Sequence, residues 1–159
     1  MRINSLAVIA LRIVLVAAFL LLLLFQVMSI PGQFAHMAEE NPEQAVLQWP
    51  LTILFILEVA CVQVVIVGTW KLLTLVKQDR IFSRGALVWV DAIVWAIAAA
   101  WTMFAVFSAV VVLNADDPGV PILLILMLVA GAALGLVVVV LRALLRQAAD
   151  LRADMEAVI

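Results

Sequence analysis

Four long apolar segments dominate this sequence and leave few folds open to it. They run over residues 11–30, 49–76, 86–113 and 120–145. Each is long enough for a helix to cross a hydrocarbon core of roughly 30 Å, which takes about 20 residues. The period-2 alternation of a membrane β-barrel is absent, and unclosed strands would leave backbone groups unpaired in lipid. We therefore predict an all-α bundle of four transmembrane helices that forms a single domain over residues 1–159.

The composition favours lipid over water as the solvent of these segments. The chain is 69% hydrophobic and 13% charged, whereas soluble domains are about 45–50% apolar and about 25% charged. A soluble domain of this length could not bury so much apolar surface. The few basic residues lie beside the apolar segments, so the composition gives no indication of nucleic-acid binding. The lipid bilayer is the one partner that the composition predicts directly.

The basic residues predict how the chain is oriented. All nine Lys and Arg residues lie at or beyond the same ends of the spans, whereas residues 31–48 and 114–119 contain acids and no base. Basic residues are retained on the cytoplasmic side of a membrane. We therefore predict a membrane protein with both termini and the loop 77–85 in the cytoplasm. The loops 31–48 and 114–119 are then on the outer side.

The last helix is predicted to continue beyond the membrane as a short amphipathic cytoplasmic helix over residues 142–159. Apolar residues recur there at spacings of three and four: Leu141, Leu144, Ala148, Leu151, Met155 and Val158. This spacing is typical of a helix that packs on another helix. Two interpretations remain open, namely packing against the loop 77–85 of the same chain, and contact with a second copy or another protein.

Glu58 is the most unusual residue of the apolar segments. It lies nine residues after Trp49, which is about 13 Å along a helix that rises 1.5 Å per residue. A charge at that depth is costly, so such residues face the protein interior and often mark ion or proton pathways. One interpretation is a small proton-coupled transporter or channel centred on Glu58. The other is a neutral, hydrogen-bonded carboxyl group that fixes helix packing. Small multidrug exporters also combine four helices with one buried glutamate, but theirs lies on the first helix, where this chain has none.

Two further features are predicted to hold the helices together. Asp91 lies at a shallow depth near the start of the third span, and Lys71 near the end of the second span should reach the same depth. We expect these two residues to form an ion pair. Faces of small residues predict close helix contacts, and they are formed by Gly131 and Gly135 on the fourth span and by Ala92, Ala96 and Ala100 on the third.

No motif for catalysis, a metal or a cofactor stands out. His36 has helical spacing to Glu39, Glu40 and Glu43, but one histidine without a second His or a Cys is a weak transition-metal site. A solvated acidic loop is the favoured interpretation of this segment. There is no Ser/His/Asp set and no phosphate-binding glycine loop. We therefore expect a protein that is not an enzyme and that uses no cofactor.

Several short segments resemble those of a known family. They are Cys61-Val-Gln-Val-Val65, Trp70-Lys-Leu-Leu-Thr74, Arg80-Ile-Phe-Ser83 and Trp89-Val-Asp91. With these segments and its charged final helix, the chain resembles the bacterial integral membrane family called domain of unknown function 2975, in its actinobacterial form. The resemblance implies four helices in a bacterial cytoplasmic membrane and implies no activity. Some members are encoded beside small helix-turn-helix regulators, which suggests a regulatory partner.

Charge and amphipathic character concentrate on the predicted cytoplasmic side. We therefore predict a non-enzymatic membrane protein, a regulatory or accessory subunit, that contacts a partner through the loop 77–85 and the final helix. The residues expected at this surface are Arg80, Arg84, Leu151 and Met155. The partner would be a second copy of the chain or another cytoplasmic or membrane protein.

Overall fold

The computed structural model describes residues 5–158, apart from the side chains of Ser5, Gln44, Glu156 and Val158. The chain is helical over most of this range. Its elements are helix α1 (Ser5–Leu24), a π-helical turn (Phe25–Ser29), α2 (Ile30–Glu40), a 3₁₀ helix (Pro42–Leu47), α3 (Gln48–Lys77), α4 (Arg84–Leu113) and α5 (Gly119–Val158). Ile159, the last residue of the predicted final helix, lies outside the described range.

Four helical stretches are long and apolar enough to cross a membrane. Within the described range they are Leu6–Glu40, Ala45–Lys77, Arg84–Leu113 and Gly119–Met155. The prediction of an all-helical chain with four apolar helices able to span a membrane is therefore confirmed.

The chain consists of two compact units, and their boundary falls inside α3. The first unit is Met1–Ile66 and contains α1, α2 and the beginning of α3. The second unit is Val67–Ile159 and contains the rest of α3 with α4 and α5.

The first helical stretch does not stop at Pro31-Gly32, the position where the sequence analysis ended the span, but continues as α2 to Glu40. A proline inside a helix lacks the backbone N–H, and its ring clashes with the carbonyl four residues earlier. Here the π-helical turn Phe25–Ser29 comes first, so Pro31 lies in the first turn of α2. A missing N–H costs little in a first turn. Most of the predicted outer loop 31–48 is consequently helical.

Two side-chain contacts join this stretch to α3 within the first unit. Gln26, in the π-helical turn, donates a hydrogen bond from Nε2 to the backbone oxygen of Ile56 at 3.0 Å. Phe34 of α2 packs against Phe55, with ring centroids 5.4 Å apart. These contacts are made at two adjacent residues of α3 that precede Glu58, and they hold that part of α3 against the π-helical turn and α2.

The turn between α3 and α4 begins with a Schellman motif. The amide of Arg80 donates to the carbonyl of Leu75 at 2.9 Å, and the amide of Asp79 donates to that of Val76 at 3.2 Å. Asp79 has a left-handed φ of 51°, which costs a residue other than glycine about 1–2 kcal/mol. The predicted loop 77–85 is thus a compact turn over residues 78–83, which we call the α3–α4 turn.

Glycines on α5 allow large side chains of α4 to approach it. A Cβ atom at Gly131 would lie 3.2 Å from Cδ1 of Trp101, and one at Gly135 would lie 3.5 Å from Cγ2 of Ile97. The Trp101 indole also donates a hydrogen bond to the carbonyl of Leu128 at 3.0 Å. The glycine face therefore packs against a tryptophan and an isoleucine of α4.

The alanine face of α4 is only partly covered. Ala96 is buried, whereas Ala92 and Ala100 are half-buried. A glycine that the sequence analysis did not single out makes a tighter contact. A Cβ atom at Gly68 of α3 would lie 2.7 Å from Cγ1 of Ile93 on α4. The close packing of α3 on α4 at this position therefore requires glycine.

We predict that Gly68→Ala lowers the free energy of unfolding. Overpacking costs about 1–3 kcal/mol, and the better helix propensity of alanine returns at most about 1 kcal/mol. The matched control is Gly32→Ala on α2, where an added Cβ meets nothing within 4 Å, so this variant should be as stable as the parent or more stable. Unfolding by SDS titration from mixed micelles measures both values. Equal changes in the unfolding free energy of the two variants, with the same sign, would contradict the close contact at Gly68.

Candidate functional site

A cavity of about 570 Å³ lies in the second unit, among the α3–α4 turn, the start of α4 and the last third of α5. Five arginines line it, namely Arg80, Arg84, Arg142, Arg146 and Arg152. Three aspartates line it as well, namely Asp79, Asp91 and Asp150. The cavity therefore has a formal excess of two positive charges. We call it the arginine cavity.

Helix α5 presents one face to the arginine cavity through a regular spacing. Arg142, Arg146, Ala149 and Ala153 line the cavity and recur at intervals of four, three and four residues. These intervals keep side chains on one side of a helix. Ala149 is only 9% exposed. Its small side chain is therefore nearly covered at the wall of the cavity.

A second face of α5 carries apolar side chains that are largely exposed in the described chain. Leu144 is 56% exposed, and Leu151 and Met155 are each 65% exposed. The α3–α4 turn contacts α5 elsewhere, because the Arg152 guanidinium lies 6.0 Å from the centre of the Phe82 ring. Leu151 and Met155 therefore do not pack on the loop of the same chain, and the contact between α5 and that loop is made by another face of the helix.

The four residues predicted to form one partner surface lie in two different places. Arg80 and Arg84 line the arginine cavity. Leu151 and Met155 belong to the exposed apolar row of α5 and do not line the cavity.

Asp91 pairs with Arg142 instead of the predicted Lys71. The Arg142 Nε donates a hydrogen bond to Asp91 Oδ1 at 2.5 Å, and both side chains are partly exposed. The Lys71 ammonium lies 5.7 Å from the centre of the Trp89 ring, close enough for a cation–π contact. The prediction considered only the α3–α4 hairpin. Helix α5 passes the start of α4 and supplies a guanidinium whose fork suits a carboxylate better than an ammonium does.

Several donors of the arginine cavity have no acceptor within the described part of the chain. The side chains of Arg80, Arg84 and Arg146 have neither an ion pair nor a hydrogen bond there. Ser83 is the N-cap residue of α4, but its hydroxyl does not cap the helix. The buried Oγ of Ser83 also lacks any other hydrogen-bond partner among the described residues. The site consequently offers donors and positive charge in excess of its acceptors.

From the sequence, these arginines predicted the orientation of the chain and, for Arg80 and Arg84, a partner surface, but not a cavity. One local signal could have revealed more, namely that Arg142 and Arg146 are four residues apart and share a helix face with the small Ala149 and Ala153. That pattern indicates a groove with a basic edge. Ser83 and Arg84 line the same cavity only because of the way α4 is aligned with α5. No local sequence pattern predicts that alignment.

Glu58 lies in the first unit on α3 and is half-buried. Its Oε1 atom is buried and has no hydrogen-bond partner among the described residues. The expected hydrogen bond is therefore missing at this oxygen.

His36 and Glu40 form an exposed pair on α2. The Nε2 and Oε1 atoms are 3.3 Å apart, with the side chains 71% and 64% exposed. The segment was interpreted as an acidic loop, but it is helical as far as Glu40. Exposed i,i+4 pairs of this kind contribute little to stability. We assign no binding role to the pair.

The comparisons with known proteins identify a family. The family model described as "Protein of unknown function (DUF2975)" matches residues 32–159, which include every residue of the arginine cavity. The chain therefore belongs to this family, in agreement with the resemblance of its short segments. Neither the curated proteins nor the solved structures contain a match to the chain. Since the family has no assigned function, the functional argument depends on the geometry of the chain.

We predict that Asp91 is energetically coupled to Arg142 and not to Lys71. In a double-mutant cycle, Asp91→Asn and Arg142→Gln should be non-additive by about 1 kcal/mol, the magnitude of a partly exposed charge-assisted pair. The matched control is the cycle of Asp91→Asn with Lys71→Gln, whose effects should simply add. SDS titration from mixed micelles gives the unfolding free energies. Coupling to Lys71 in place of Arg142 would refute the observed pairing.

Proposed function

We propose that this chain is a non-enzymatic regulatory or accessory membrane subunit that contacts a partner protein through the exposed apolar row of α5. The single observation that supports the proposal is the exposure of Leu151 and Met155 in a charged part of the helix. Their neighbours in sequence include Asp150, Arg152 and Asp154. Water around those charges would also surround the two apolar side chains.

The length of α5 supports this location. The helix has 40 residues, and at 1.5 Å per residue it is about 60 Å long, roughly twice the thickness of the hydrocarbon core. The last charge-free segment ends at Leu141, and Met155 lies about 20 Å beyond Arg142 along the axis. An apolar row outside lipid is unfavourable unless another surface covers it.

The proposal places this end of the molecule in the cytoplasm of a bacterium. The support is the concentration of Lys and Arg residues at this end. Loops on the cytoplasmic side of a membrane are enriched in these residues. Four spans return both termini to the side on which the chain starts. In this orientation α5 continues into the cytoplasm as the amphipathic C-terminal helix.

The partner we propose is a helix, from a second copy of the chain or from another cytoplasmic or membrane protein. The a/d spacing of Leu144, Ala148, Leu151 and Met155 supports a helical partner, because such a row packs into the holes between side chains of a facing helix. The exposed row is absent from the lining of the arginine cavity. A partner can therefore contact α5 without filling the cavity.

We predict that a photoreactive residue in place of Met155 crosslinks to the partner in native membranes. A photoreactive residue in place of Ala153 is the matched control, because Ala153 lies on the cavity face of the same helical turn. The crosslink from position 155 should disappear in a Leu151→Glu variant, which places a charge in the apolar row. A photoreactive residue at Arg80 tests whether the contact extends to the α3–α4 turn.

Equal crosslinking from positions 153 and 155, or none from position 155, would count against a partner on the apolar row. A product at twice the mass of the chain identifies the partner as a second copy. A product of any other mass identifies a different protein.

A second candidate function, a small proton-coupled transporter or channel, is favoured by the state of Glu58. Its buried Oε1 has no hydrogen-bond partner in the described chain, and unsatisfied polar atoms inside a membrane are costly and often functional. We rank this candidate second because a single acid does not form a pathway.

For this second candidate, we predict that Glu58→Gln abolishes proton flux into proteoliposomes containing the purified chain. The substitution keeps the size of the side chain and removes the titratable proton. Glu39→Gln, which changes an exposed acid on α2, is the matched control and should leave the flux unchanged. The absence of flux with the parent protein, or the same flux with Glu58→Gln, would eliminate this function.

A further inference from the structure

We infer that the arginine cavity binds a phosphate-ester anion, the group carried by anionic phospholipid headgroups and by small organic phosphates. The inference does not rest on the proposed partner contact, because the cavity and the apolar row are different faces of α5. It rests on four features of the cavity, namely its unpaired guanidinium groups, the start of α4, the balance of its charges and its position along the helices.

Three guanidinium groups supply the principal donors. Arg80 comes from the α3–α4 turn, Arg84 from the start of α4, and Arg146 from α5, and all three line the same cavity. None has an ion-pair or hydrogen-bond partner in the part of the chain that the structure describes. The planar fork of a guanidinium donates two parallel hydrogen bonds to a phosphate. Three different elements thus supply guanidinium groups to the same cavity.

The start of α4 adds donors of a different kind. Ser83 lines the cavity, and its buried Oγ has no hydrogen-bond partner among the described atoms. The first backbone N–H groups of any helix lack intrahelical acceptors. In a helix of 30 residues, that end also carries the positive end of the helix dipole, which favours an anion. A phosphate oxygen near Ser83 would satisfy groups that the chain leaves open.

The aspartates do not cancel this preference. Asp91 is already paired with Arg142, so the three arginines Arg80, Arg84 and Arg146 face the two remaining aspartates of the lining, Asp79 and Asp150. An added cation would approach more arginines than free carboxylates. The net field of the cavity therefore selects an anion.

The position of the cavity points to phosphate at the depth of lipid headgroups. The cavity lies where α3 has ended and α4 begins, close to the boundary between the apolar and the charged parts of α5. Phe82 and Leu87 give it an apolar wall. Its volume of about 570 Å³ is within the range of small-molecule sites, roughly 300–1,000 Å³. Basic pockets between membrane helices at this depth commonly hold anionic headgroups.

Basic residues at one end of a membrane protein are expected from orientation alone, so the test must separate the cavity from the general charge. Lys71 and Lys77 of α3 belong to the same unit but do not line the cavity. The double variant Lys71→Gln/Lys77→Gln removes two positive charges outside the cavity. The double variant Arg84→Gln/Arg146→Gln removes two positive charges from its wall.

The experiment is calorimetric titration of the purified full-length chain in a neutral detergent. The probes are dioctanoyl phosphatidylglycerol, the zwitterionic dioctanoyl phosphatidylcholine and glycerol 3-phosphate. We expect saturable binding of phosphatidylglycerol with one site per chain. Arg84→Gln/Arg146→Gln should weaken it by about a hundredfold, since each of the two lost charge-assisted contacts is worth about a factor of ten. The affinity of Lys71→Gln/Lys77→Gln should stay within about twofold of that of the parent, because these charges lie outside the cavity and act on the ligand only through screened solvent.

The other two probes and a Ser83 variant identify the ligand and test the start of α4. Binding of glycerol 3-phosphate as tight as that of phosphatidylglycerol assigns the site to free phosphates, and binding of the lipid alone assigns it to headgroups. Ser83→Ala should weaken either ligand by about threefold to tenfold, the value of one neutral or charge-assisted hydrogen bond, with unchanged helicity by circular dichroism. Equal weakening by the two double variants, equal binding of phosphatidylcholine, or no saturable binding of any probe would overturn the inference.

Discussion

Lipid offers no hydrogen bonds to a polypeptide, and this constraint determines where the chain keeps its polar chemistry. Threonine hydroxyls inside the helices donate to a carbonyl four residues earlier, and the pairs are Thr52 with Gln48 at 2.6 Å, Thr74 with Trp70 at 3.1 Å and Thr102 with Ala98 at 2.7 Å. The indole of Trp101 likewise uses a backbone carbonyl. Most charged side chains lie outside the apolar segments, with Glu58 as an exception inside α3. Those of the arginine cavity lie at the α3–α4 turn, the start of α4 and the charged part of α5.

The pair of Asp91 and Arg142 connects the packing of the second unit to its chemistry. It joins α4 to α5 at the point where α5 changes from an uncharged to a charged sequence. The glycines at positions 131 and 135 set the helix contact on the apolar side of that point. On the charged side, the small Ala149 and Ala153 leave room for a cavity instead of a packed interface. The apolar row of α5 remains free for another surface.

Much of the fold could be predicted from the sequence, because the length and apolarity of a span are local properties. The end of the first span could not, since the effect of Pro31 depends on a π-helical turn that has no compositional signature. The partner of Asp91 was also missed. Hairpin neighbours are adjacent in sequence, whereas the alignment of α5 with α4 is set by many weak contacts. Gly68 escaped notice for a related reason, because one glycine in a long apolar run gives no periodic pattern.

The candidate sites differ in how far the sequence could reveal them. Glu58 stood out because a single charge in an apolar segment is anomalous without any structure. The arginine cavity did not, since its members come from three elements and each looks like an ordinary basic residue near a span. What distinguishes these arginines from other basic residues is that they line the same cavity in the folded chain.

The continuity of α5 has a mechanical consequence. The helix runs without a break from Gly119 to Val158, so it behaves as a stiff lever anchored where Gly131 meets Trp101. Met155 lies about 36 Å from Gly131 along the axis, and a tilt of about 10° at that fulcrum would sweep the distal tip through about 6 Å. A tilt of α5 at that contact would thus displace Met155 much farther than it displaces the residues beside Gly131.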